Sequence, residues 1–115
     1  MNYTIKNQKL TLEISSRGGE FQSIRDAQGR EYLWQGDAAT WTDRGPNLFP
    51  YIGRMTDQSY TYQGQTYHMD IHGFLPTAEL NLVEHKEEEL TLRLEDSPET
   101  ERQYPFKFVL DITWK

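Results

Sequence analysis

Residues 47–74 read NLFPYIGRMTDQSYTYQGQTYHMDIHGF, and the centre of this stretch decides the fold. Two runs rich in Tyr and Thr, residues 59–62 and 66–70, flank Gln63-Gly64. Glycine tolerates positive φ, so the pair predicts a two-residue hairpin loop and the runs predict antiparallel strands. On either side of this hairpin stand one arginine, Arg54, and one histidine, His72, set among aromatic residues. Aromatic faces with a few polar tips suit a neutral, hydroxyl-rich ligand.

Outward from the hairpin the same period of two recurs. Leu10, Leu12 and Ile14 alternate with Thr11 and Glu13, and Leu90, Leu92 and Leu94 alternate with Thr91 and Arg93, as half-buried strands do. Further strands are expected at 20–25, 30–34 and 78–84, between Gly, Asp or Asn turn signals. Phe106, Phe108, Leu110, Ile112 and Trp114 predict one more strand, reaching the last residue, Lys115. An apolar strand ending there leaves a sheet edge open to pairing, so the expectation is the front part of a longer protein or a sheet completed by a second subunit, as in a dimer. Helix is scarce: Asp37 could cap a short turn through Trp41, and Ser97-Pro98 could open another that Tyr104-Pro105 closes. No repeat or linker divides the chain, so residues 1–115 are expected to form one all-β, antiparallel β-sandwich unit.

Bulk properties narrow the function. The chain has 115 residues, 18 acidic against 12 basic, and a formal net charge of −6, with no basic cluster to drive nucleic-acid binding. It has no cysteine, which removes disulfides, thiolate nucleophiles and sulfur-ligated zinc. The opening MNYTIK goes straight into strand-like alternation rather than a secretory signal, and no apolar run is long enough to span a bilayer. A cytoplasmic protein with neither nucleic acid nor membrane as partner is expected.

Several residues could carry chemistry. His68, Asp70 and His72 share a period of two and could face one way in a strand, but without a fourth ligand the spacing is weakly specific for metal and no metal site is assigned. His72 before Gly73 reads equally as a strand-end structural histidine or as a ligand-facing group titrating near neutral pH. Arg54 lies in an apolar segment with Pro46 and Pro50; a partly buried guanidinium there needs acceptors, either a ligand or Asp43, Asp57 or Asp70. Among Trp34, Trp41, Phe49, Tyr51, Tyr60, Tyr62, Tyr67 and Phe74, most are expected in the core, with one or two free to stack on a sugar ring. A carboxylate pair such as Asp57 with Asp70 would suit hydrolysis, though no nucleophile motif is present. The run 84–89 reads as a solvated turn.

Taken in order, the segments ISSRGGE (14–20), Ser23-Ile24, EYLWQGD (31–37), Trp41, Pro46 through Gly53-Arg54, His72-Gly73-Phe74 and YPFKF (104–108) resemble the N-terminal part of the aldose 1-epimerase (galactose mutarotase-like) family, and within it the bacterial LacX-like branch. The resemblance implies a β-supersandwich whose concave face holds a sugar. It also implies a cofactor-free isomerase that exchanges α and β anomers of a hexose, a Glu base taking the anomeric hydroxyl proton while a His acid protonates the ring oxygen. By position, Arg54 corresponds to a sugar-contacting arginine and His72 to the histidine that orients the sugar near its ring oxygen; Phe49 and Phe74 are candidates for stacking on it. The family's general acid and catalytic Glu correspond to positions beyond Lys115, so the chain alone is expected to be inactive, the alternative being a carbohydrate-binding module. Leu75-Pro76 follows His-Gly-Phe where this branch often has Ala-Arg, which disfavours a sugar phosphate as substrate.

Overall fold

Eight strands and one short helix organise the computed structural model, which describes residues 1–115. Strands β1 (Asn2–Lys6), β2 (Leu10–Ser15) and β3 (Phe21–Asp26) form one antiparallel sheet in that order. The hairpin of β4 (Ser59–Tyr62) and β5 (Gln65–His68) follows in the chain, and then a second sheet, β6 (Asn81–His85), β7 (Leu90–Glu95) and β8 (Val109–Trp114). Gln63 and Gly64 both take positive φ, 49° and 78°, and Tyr62 pairs with Gln65, the two-residue loop expected of the sequence. The fold is all-β and antiparallel, and β8 is the outermost strand of its sheet.

Alternation turns into packing unevenly. In β2, Leu10 is exposed, Leu12 half-buried and Ile14 fully buried, because the strand runs from the rim toward the centre. Leu90 and Leu92 are fully buried, while Thr91 on the opposite face pairs its hydroxyl with that of Thr113 at 2.9 Å. With Ile5, Leu75 and Leu80 they make one core cluster that joins the sheets; burying each such side chain contributes about 1.5–3 kcal/mol. Backbone bonds reinforce the joint, from Gly18 N to Ala78 O (2.7 Å) and from Leu80 N to Ser16 O (2.9 Å). The molecule is a slab of 56 × 35 × 18 Å with a radius of gyration of 16.3 Å, more extended than the ~13 Å typical of a compact domain of about 100 residues.

Three expectations change. Residues 30–34 are not a strand: only Glu31 bridges to Arg25. The Glu31 carboxylate accepts from the amides of Ile24 (2.8 Å) and Leu33 (3.1 Å) and the hydroxyl of Ser23 (2.5 Å), so a side chain satisfies donors that a ladder would otherwise use. At Asp37 the expected capped turn is present but ends at Thr40 rather than Trp41: the carboxylate accepts from the Ala39 amide at 2.9 Å and the carbonyl from the Thr40 amide at 3.0 Å, closing a single turn. The last strand starts at Val109 rather than Phe106. The helix α1 (Pro98–Gln103) forms as expected, with Ser97 and Thr100 reciprocally capped.

Candidate functional site

Two short segments that flank the hairpin are laced together by backbone. The amides of Phe74 and Leu75 donate to the Phe49 carbonyl at 3.1 and 3.2 Å, and Met69 N donates to Gln58 O at 3.0 Å. Gly73 is where the two backbones touch: a Cβ there would lie 2.2 Å from the Phe49 oxygen, so no other residue fits. His72 sits at the centre of this lacing. Its amide donates to the Gly53 carbonyl at 2.9 Å, and the Gly53 amide donates to its ring Nδ1 at 2.9 Å.

That last bond decides the chemistry of the imidazole. Nδ1 is an acceptor, so the neutral ring carries its proton on Nε2, leaving an N–H donor for a ligand. His72 also has φ 64°, a left-handed backbone that costs a β-substituted residue roughly 1–2 kcal/mol and that concentrates at functional sites. A groove of ≈ 650 Å³ opens at this histidine, lined among others by Arg17, Asp43, Gln58, Asp70 and Thr77. Gln58 shares the left-handed conformation, φ 53°. Sequence reasoning passed over Gln58, because nothing in the residue type signals its backbone angle.

Other candidates fall elsewhere. Arg54 is exposed, not partly buried, and makes no hydrogen bond or ion pair with Asp43, Asp57 or Asp70; it lies outside the lining of the groove. Phe74 is only 8% exposed. Its ring stacks on Phe108 at 5.9 Å and meets Phe49 edge-on at 5.8 Å, and Phe49 in turn packs against Tyr104 and Phe108. Phe74 is thus held in an aromatic cluster with Phe49, Tyr104 and Phe108, in which Phe49 stays half-buried. His68 ends β5 and Asp70 lies beyond it, so the three alternating residues do not share a strand face, and no group of three His, Asp or Glu side chains gathers to hold a metal.

Against known proteins, the aldose 1-epimerase profile matches residues 1–115. The chain belongs to the aldose 1-epimerase family. It is 32% identical over 119 residues to the plasmid-encoded protein LacX of Lactococcus lactis subsp. lactis, covering 99% of this chain and 40% of that protein. Among solved structures it resembles a galactose mutarotase related enzyme from Lactobacillus acidophilus, with a TM-score of 0.96 and 39% identity over 98% of this chain and 38% of that one. A galactose mutarotase-like protein from Lactobacillus casei gives a TM-score of 0.94 at 32% identity, covering 98% and 39%. The chain thus spans about 40% of the length of its aldose 1-epimerase relatives. No helix is long and apolar enough to cross a membrane.

Proposed function

We propose that this chain supplies the sugar-orienting part of an aldose 1-epimerase-like isomerase site, acting on a free hexose or similar aldose. The observation that carries the reading is the His72 imidazole, fixed by the Gly53 amide at 2.9 Å with Nε2–H left to donate to a sugar oxygen at the groove. Arg54 is the second proposed contact, since an exposed guanidinium without an internal acceptor is free to meet hydroxyls. In the proposed reaction a carboxylate takes the proton of the anomeric hydroxyl and an imidazolium protonates the ring oxygen, the C1–O5 bond breaks, the aldehyde rotates, and reclosure on the other face reverses both transfers. We assign neither the general acid nor the base to these 115 residues, and no cofactor takes part. A dimer through the outer edge of β8 and a cytoplasmic location, suited to a chain without cysteine, complete the proposal.

Exchange between the anomeric protons of galactose and glucose, followed by NMR against a buffer blank, tests it. The expected outcome is exchange at the blank rate, with sugar signals broadened by the wild-type chain and much less by His72→Ala. Exchange above the blank would refute the assignment of the acid and base to positions outside the chain. Broadening that survives both His72→Ala and Arg54→Ala would remove these residues from the site.

A further inference from the structure

The turn that carries His72 has a second support. Residues 70–73 form a four-residue turn closed by donation from the Gly73 amide to the Asp70 carbonyl at 3.0 Å, with His72 at the third position. His72 is left-handed and Ile71 is not, the pattern of the turn type whose third position normally belongs to glycine or asparagine. A histidine persists there only if its surroundings over-determine the conformation. The Asp70 carbonyl takes an additional donor, the Tyr51 hydroxyl at 2.5 Å, whose oxygen also stands 3.4 Å from the Met69 carbonyl. Tyr51 is the one side chain that donates to the backbone of residues 69–73.

We propose that Tyr51 is a positioning residue: by donating to the Asp70 carbonyl it holds the turn closed around a left-handed His72, so that Nδ1 stays on the Gly53 amide and Nε2–H stays turned to the groove. The inference rests on the sugar-facing role proposed above for His72. The chemistry of Tyr51 separates cleanly from its packing. Its ring lines a small apolar cavity of ≈ 190 Å³ with Pro50, Met55, Tyr60, Met69 and Tyr104, and that surface is kept when only the hydroxyl is removed. Replacement by phenylalanine therefore takes away the bond to the turn and leaves the wall intact.

The test uses the chain labelled with nitrogen-15 in histidine. At about pH 8.5, above the ordinary imidazole range, wild type is expected to show an unprotonated Nδ1 and a protonated Nε2, and Tyr51→Phe to move both signals toward an average of the two tautomers. In parallel, urea unfolding of Tyr51→Phe, His72→Gly and the double variant forms a cycle. Loss of the hydroxyl should lower the folding constant about fivefold more with His at position 72 than in the His72→Gly background, where no strain needs holding. Unchanged ring signals, or additive losses, would overturn the proposal, since a tyrosine with only a packing role would give both. If the ring responds as expected while galactose broadening is absent from every form, the sugar-facing role of His72 fails and the Tyr51 support stands.

Discussion

Gln63-Gly64 and His72-Gly73 adopt the same pair of left-handed conformations, with φ of 49° and 78° in the first and 64° and 76° in the second, for opposite reasons. At the hairpin tip all four flanking side chains are exposed and a Cβ on Gly64 would meet nothing within 4 Å. The conformation there serves local chain reversal, whose handedness matches the twist of β4 and β5. At Gly73 a Cβ would strike the Phe49 carbonyl and the Pro50 ring, and the preceding residue is a histidine bonded through its ring to a glycine 19 residues away. One pair answers to its neighbours in sequence alone, the other also to its neighbours in space. Both pairs sit in turns, and the difference teaches that tertiary contacts, not left-handed backbone as such, set the turn at His72 apart.

Substituting the two glycines should break the symmetry most strongly. Gly73→Ala forces a contact of 2.2 Å on backbone that the 49–75 lacing cannot release, and a loss of about 4 kcal/mol or outright unfolding is expected in urea titrations. Gly64→Ala adds only the strain of a left-handed alanine, about 1 kcal/mol. Comparable losses at the two positions would mean that the close approach at Gly73 relaxes and that the site frame is softer than its hydrogen bonds suggest.

The residues before each glycine give the next largest difference. His72→Ala loses the acceptor for the Gly53 amide and keeps the strain, whereas His72→Gly loses the acceptor and relieves the strain. The alanine variant should therefore be the less stable by about 1 kcal/mol, with both lowering sugar broadening alike. At the tip, Gln63→Asn installs the pair that this loop type prefers and should stabilise by a few tenths of a kcal/mol with no effect on sugar signals. A stability order reversed at His72 would show that the greater chain entropy of an unfolded glycine outweighs the relief of backbone strain there.

This contrast also explains what could be read from residues alone. The hairpin, the alternation of Leu90, Leu92 and Leu94, and the helix opened at Ser97-Pro98 rest on interactions between near neighbours, which sequence states directly. The strand expected at 30–34 failed because the Glu31 carboxylate occupies the amides of Ile24 and Leu33, a competition invisible to periodicity. Phe49 and Phe74 stand out in the sequence as aromatic residues, and their packing against Tyr104 and Phe108, remote in sequence, emerges only in the fold. For His72, the resemblance of the motif to a family pointed to the residue, while its left-handed backbone, its ring bond to Gly53, the place of Gln58 in the groove and the Tyr51 bond to the turn exist only once the two segments meet.

A smaller effect probes a third corner that, like the hairpin, is locally built. Asp96 precedes α1 and accepts from the Phe108 amide at 3.1 Å, with Lys107 3.1 Å away. The Phe108 amide first, and then the Lys107 ammonium, hold its carboxyl below the usual aspartate value. A carboxylate depressed in the folded state binds protons more readily once unfolded, so its contribution is fully present above the unfolded value and is lost as pH falls through the folded one. Thermal unfolding followed from pH 6 down to about 3 should show Tm declining below about pH 5, and Asp96→Asn should lower Tm at pH 6 while making that decline shallower. The decline should not vanish, because the Arg93 guanidinium holds Asp111 low and the Arg30 amide does the same for Asp26. Since Asp96 anchors the start of β8 through Phe108 and not the turn at His72, sugar broadening at pH 6 should be unchanged in Asp96→Asn. Loss of binding in that variant would instead tie the groove to the α1–β8 corner and make the site frame larger than the two laced segments.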